Sequence, residues 1–172
     1  MKENSCCFIG YRPQDVPWGE DVRSGAFFNF YMSLAMAIEQ KLQSGCNRFY
    51  TSLEEGIDRW AIQIVLQYKQ ENPQAEVQVI AVRPNAQHHR DLSPQKRQTY
   101  AQILRQANEV ITLDQVEEFK GLCAQDYLLQ HCGHLIVGCD AKPRAQILHA
   151  LQKAQGMGVD VLKIQAEESM PF

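Results

Sequence analysis

The chain has 172 residues, 45% of them hydrophobic and 22% charged, with a formal net charge of -3. That length suits a single domain able to bury roughly 70% of its unfolded surface, and the composition excludes a disordered or fibrous class. The near-balanced charge leaves no field to recruit a nucleic-acid polymer or an anionic membrane, so neither is expected as a partner.

Short apolar runs alternate with segments of helical period. Residues 6–9 read as a first strand, and residues 25–43 as a helix with Phe27, Tyr31, Leu34, Ile38 and Leu42 on one stripe. Residues 48–51 form a short second strand, and residues 57–70 a second helix carrying Ile57, Ala61, Ile64, Val65 and Tyr68. An Asn72-Pro73 break precedes a third strand over residues 77–82. Pro94 suits the first turn of a third helix, residues 94–107, where its missing N–H would have no partner anyway. Residues 109–113 read as a fourth strand, 116–131 as a fourth helix and 135–139 as a fifth strand. Pro143 opens a fifth helix through residue 155, Gly156-Met157-Gly158 ends it, and residues 159–164 are a sixth strand. The tail, residues 165–172, is expected to be loose.

Six strands alternating with five helices require crossovers, hence a mainly parallel sheet. Right-handed crossovers make it a doubly wound, Rossmann-like α/β sheet with helices on both faces. Residues 1–172 form one domain in this reading. Residues 1–5 are polar and the apolar run behind them is too short for a leader or a span. The six cysteines (6, 7, 46, 123, 132 and 139) have scattered spacings and read as reduced thiols serving as core hydrophobes, so the cytoplasm is the expected location.

The first helix is apolar beyond one face. Phe28, Met32 and Met36 form a second line beside the main stripe. Such a helix is either sandwiched within the fold or covered by a partner, and a homodimer through the Phe27 to Leu42 helix is the second possibility.

Ligands in open α/β sheets sit at the carboxyl ends of the strands. Gly10-Tyr11-Arg12-Pro13 follows the first strand: glycine permits a sharp turn, and arginine offers a planar fork suited to phosphate or carboxylate. Residues 51–60 follow the second strand and enter a helix, whose free N–H groups favour anions. There Ser52 is a hydroxyl donor, and Asp58 either complements the helix dipole or grips a ribose hydroxyl or base. Trp60 either stacks on a base or packs in the core. Arg83 follows the third strand, and Lys142 and Arg144 bring two cations to a helix start after the fifth, a placement that suits an anionic partner. No Walker A, GxGxxG, GxSxG or HExxH motif is present, and the scattered Cys and His residues form no metal knuckle. No cofactor and no metal are expected.

Cys7-Phe8-Ile9-Gly10-Tyr11-Arg12-Pro13, Gly56-Ile57-Asp58-Arg59-Trp60-Ala61 and Val82-Arg83-Pro84 before Tyr100 resemble, in this order, the YpsA-like branch of the SLOG superfamily. That group is Rossmann-like and related to the lysine decarboxylase-like phosphoribohydrolases. The resemblance runs over nearly the whole chain. It implies a nucleotide-type ligand, with Gly10, Arg12, Gly56 and Asp58 lining the pocket.

The chain departs from the family pattern at its phosphate cradle. Leu53 and Glu54-Glu55 stand where relatives carry a glycine pair, and Ala124-Gln125 replaces an arginine–asparagine pair. Cys132-Gly133 replaces Ser-Asp, and Lys142-Pro143-Arg144 replaces Gly-Gly-Thr, with a proline that removes a donor. The expected function is therefore a sensor or regulatory binder of a small nucleotide-like ligand. The alternatives are an enzyme cleaving an N-glycosidic bond, with Asp58, Glu55 or Glu54 as its acid, and a non-catalytic scaffold acting through Phe28, Met32 and Met36.

Overall fold

Backbone packing of the first strand explains why the sheet sits where it does. In the computed structural model, which describes residues 2–166, β1 (Ser5–Gly10) is buried on both faces. Cys6 and Phe8 point into one core, and Cys7 and Ile9 into the other. A strand covered on both sides is continuously apolar rather than alternating, as the CCFI run is.

The chain continues through α1 (Gly25–Gln43), β2 (Arg48–Thr51), α2 (Ile57–Glu71), β3 (Gln78–Arg83), α3 (Pro94–Gln106) and β4 (Glu109–Thr112). It then runs through α4 (Ala124–His131), β5 (His134–Gly138), α5 (Ala145–Gly156) and β6 (Asp160–Ile164). Every strand pairing is parallel, and the order across the sheet is β4-β3-β2-β1-β5-β6. Helices α1, α2 and α3 contribute Leu34, Ile62 and Ile103 to one core. Helices α4 and α5 contribute Leu128 and Ile147 to the other. The sheet is doubly wound, as the alternation of elements requires. Because the chain leaves β4 at one edge and returns beside β1, the strand order reverses between β1 and β5, which opens a crevice at their carboxyl ends.

Caps fix two helix starts as the sequence suggests. Ser24 Oγ accepts from the Ala26 N–H at 3.2 Å, and Ser93 Oγ from the Lys96 N–H at 3.3 Å, one residue before Pro94.

Three expectations need correction. The fourth helix does not begin at residue 116, because Gly121 takes a φ of 82° and interrupts the run. Cys123 Sγ then caps Asp126 N at 3.4 Å, and α4 is eight residues long. The fifth helix starts two residues after Pro143, with Arg144 at its N-cap. Nor is the whole tail loose: Ala166 is buried and its N–H donates to Tyr11 Oη at 3.0 Å. Residues 167–172 lie outside the described residues.

Gly10 seals β1 against β5. Its φ is 142°, and a Cβ there would stand 2.0 Å from the Gly138 carbonyl oxygen. That oxygen already accepts from the Tyr11 N–H at 2.9 Å. Gly25, by contrast, faces open space, and a Cβ there would meet nothing within 4 Å. Gly10→Ala should therefore destabilise the protein by about 3 kcal/mol or more, whereas Gly25→Ala should change stability by less than about 1 kcal/mol. Urea unfolding of both variants checks the contrast, and equal midpoints would contradict it.

Candidate functional site

A cavity of about 420 Å³ opens at the carboxyl ends of β1 and β5, where the strand order reverses. Its floor is apolar, from Phe8, Ile9, Ile57, Leu128 and Ile147. Gly10, Tyr11 and Arg12 enter from the loop after β1, Ser52, Glu54, Glu55 and Asp58 from the loop and helix start after β2, and Arg144 from the N-cap of α5. Arg12 and Asp58, 46 positions apart in the sequence (58 − 12), thus reach one crevice.

The loop after β1 is clamped to the start of α2. Gly56 caps that helix with a φ of 99°, and the Ile57 N–H donates to Tyr11 O at 2.9 Å. A Cβ at Gly56 would lie 2.0 Å from the same oxygen, so only glycine permits the approach. Tyr11 is itself buried: its hydroxyl donates to Asp140 Oδ1 at 2.6 Å, and burial followed by that bond holds its pKa well above the ordinary phenol. Tyr11 thereby ties the loops after β1 and β5 to the residue pair following β6.

Asp58 is a buried carboxylate held by three hydrogen bonds. Its Oδ1 accepts from Thr51 Oγ1 at 2.7 Å, and its Oδ2 from the Ser52 N–H at 2.9 Å and Ser52 Oγ at 2.5 Å. Burial pushes its pKa up from 3.8 to about 6, although the three hydrogen bonds oppose the shift. Its placement in the first turn of α2 also favours a negative charge.

At the opposite wall the cations are tied down by Asp15, which sequence reasoning missed. Arg12 Nε and Nη2 reach its two oxygens at 2.9 Å each, and Arg144 Nε lies 3.4 Å from Oδ2. The Arg12 guanidinium, above all, holds the Asp15 pKa down to about 2. Arg144 also donates to Gly10 O at 3.0 Å and Gln146 Oε1 at 2.9 Å. The sequence carried a signal for this pairing: Arg12-Pro13-x-Asp15 has the spacing of a capping box in a single 3₁₀ turn.

The other sequence candidates fall elsewhere. Trp60 does not line the crevice; it packs at 5.5–6.0 Å between Phe27, Trp18 and Phe30, where apolar burial and edge-on ring contacts hold it. Arg83 donates to Thr112 Oγ1 at 2.9 Å, between the ends of β3 and β4, and does not reach the crevice. Lys142 is exposed outside it, because α5 begins later than the sequence suggested. Pro13 lines a neighbouring chamber instead, and Gly56 acts through its backbone. Five cysteines are buried, but Cys123 is exposed and lines the crevice beside Gln125. Among the described residues no group of three or more His, Cys, Asp or Glu is placed to hold a metal ion. Nor is any helix among them long and apolar enough to cross a membrane.

A family model described as the YspA SLOG family matches residues 6–164. The chain belongs to that family. The matched span takes in every strand but the first residue of β1, and all five helices. Membership of the SLOG family carries a nucleotide-related role at the coarse level. None of the curated proteins matches the chain.

Because the folded-state pKa of Asp58 lies above that of the unfolded chain, its contribution to stability is present below about pH 4 and is lost as the pH rises through about 6. Relative to Asp58→Asn, the wild-type protein should lose on the order of 3 kcal/mol of stability between pH 4 and pH 8. Urea unfolding of the two proteins at both pH values measures that difference. Parallel pH profiles would contradict the assignment.

Proposed function

We propose that the chain binds a nucleotide or nucleotide-derived small molecule in the switch-point crevice, as a sensor or regulatory binder. The observation that carries this reading is the division of the crevice into two chemically different walls over an apolar floor. One wall has Arg12 and Arg144 beside the start of α5, where a helix N-terminus adds its own attraction for phosphate. The other has Glu54 and Glu55, acceptors suited to ribose hydroxyls or a base edge, beside the mutually bonded Ser52 and Asp58. A flat base is at home on Phe8, Ile9 and Leu128 between them. Leu53, Glu54-Glu55 and Lys142-Pro143-Arg144 stand where relatives place glycines around the phosphate, and the lost backbone approach counts against turnover and against tight binding of the family's ligand.

A catalytic reading has one observation on its side. Asp58, with a pKa of about 6, exchanges protons near neutral pH as a general acid must. Both of its oxygens are, however, already occupied by Thr51 and Ser52. A hydrolase would release free base from a nucleoside monophosphate and lose that activity in Asp58→Asn.

A homodimer through α1 is a separate proposal, motivated by Phe28, Met32 and Met36, which are 61%, 46% and 67% exposed on the single chain. Phe30, Leu34 and Ile38 already fill the interior contact of that helix, so burial within the chain does not cover this line. A second copy offers the same apolar line in return, as a two-fold interface requires.

In a thermal-shift panel of nucleoside monophosphates, nucleoside diphosphates and dinucleotides, a ligand at 100 times its Kd should stabilise the protein by about 2.7 kcal/mol. Arg144→Gln should weaken that shift, and a panel without any response would refute the binding reading. Static light scattering should give twice the 19.7 kDa chain mass, falling to the single mass in Phe28→Asp/Met36→Asp. A wild-type monomer at high concentration would remove the dimer.

A further inference from the structure

Beside the crevice lies a second chamber of about 230 Å³, sharing Arg12, Glu54 and Glu55 with it and walled by Leu53, Arg59, His88, Leu92 and Tyr100. Arg59 is its unusual member. It is only 8% exposed, and a guanidinium remains charged at any working pH. A buried charge is costly unless it is paired. Yet its single acceptor among the described residues is the Leu53 carbonyl, 2.8 Å from Nη2, while Nε has none. Neither carboxylate of the chamber is paired with it: Glu55 Oε1 lies 3.1 Å from Lys96 Nζ, and the exposed Glu54 lies beside the His88 ring, with Oε1 3.7 Å from Nε2.

Position adds a second, independent difficulty. Arg59 is the third residue of α2, so it stands at the positive end of the helix dipole, where a cation is disfavoured. The fold alone does not repay either cost. Its neighbour Asp58 has the charge suited to that turn; Arg59 has the opposite one.

We infer that the Arg59 chamber is an oxyanion subsite, which takes a phosphate or carboxylate group against the unpaired guanidinium. Arg59 presents a planar fork that matches either group, and the Leu53 carbonyl fixes its orientation. Tyr100, whose hydroxyl meets His88 Nδ1 at 3.2 Å, lines the chamber together with Leu53 and Leu92, which place apolar surface beside the charge. The inference stands on Arg59 and its chamber and holds whether or not the adjoining crevice takes a nucleotide.

The test uses inorganic phosphate and, separately, succinate as probes, in an Arg144→Gln background that removes the cation which lines the main crevice but not the chamber. At ten times its Kd, one of the two probes should raise the melting temperature by roughly 3–6 °C, and the better probe identifies the group as phosphate or carboxylate. Adding Arg59→Met should abolish the shift, and Arg59→Lys should retain part of it. Without any probe, Arg59→Met should melt at or above the temperature of its parent, because an unpaired buried cation has been removed. A shift that survives Arg59→Met, no shift with either probe, or a lower melting temperature of probe-free Arg59→Met would each overturn the subsite. The nucleotide panel on the wild-type protein reads the main crevice separately, so failure of one proposal is distinguishable from failure of the other.

Discussion

Two backbone contacts that only glycine permits hold the whole site together. Gly10 lets the end of β1 lie against the Gly138 carbonyl, and Gly56 lets the start of α2 lie against the Tyr11 carbonyl. Between them they fix the loop after β1 to the strand on one side and to the helix on the other. Arg12 is therefore delivered to the crevice by backbone geometry rather than by side-chain packing, and Asp58 arrives in the first turn of the helix that Gly56 begins. A Cβ at either position would force apart segments whose hydrogen bonds, Tyr11 N to Gly138 O and Ile57 N to Tyr11 O, are both 2.9 Å long. Crevice and fold share the same constraint.

Charge within that frame is balanced rather than uniformly positive. Asp15 draws Arg12 and Arg144 together, and Asp58 is tied to the loop that it follows. Preorganisation of this kind lowers the cost of ordering side chains on binding, while the nearby carboxylates limit affinity for a bare anion. A ligand carrying both an anion and hydroxyl donors meets this distribution better than phosphate alone. Glu54 and Glu55 line the neighbouring chamber too, but there Arg59 is bonded to the Leu53 carbonyl and to no carboxylate among the described residues.

The architecture was legible because hydrophobic periodicity reports burial, and burial on two faces is what a parallel sheet imposes on its central strands. Boundaries failed where a single residue overrode the pattern. The apolar period continued through residues 116–123, but the positive φ of Gly121 ended it. At the site, Arg12 and Asp58 were legible because each belongs to a local motif that begins at a strand end. Asp15 was overlooked although its spacing from Arg12 was visible. Trp60 was ambiguous for a sound reason: its partners Trp18, Phe27 and Phe30 come from other segments, and no local pattern announces them. Arg59 carries no local signal of its burial, since its surroundings, Leu53, Leu92 and Tyr100, are brought to it by the fold.

The most direct test of binding at the switch point is the position of ligand contacts on the folded protein. Backbone amide chemical shifts should be followed by NMR while a nucleoside diphosphate is titrated in. The perturbed amides should cluster at Gly10 to Arg12, Ser52, Ile57, Asp58 and the first turn of α5, at the carboxyl ends of the strands. Perturbations confined to the opposite rim, around Lys41, His134 and Asp160, would contradict binding in the crevice.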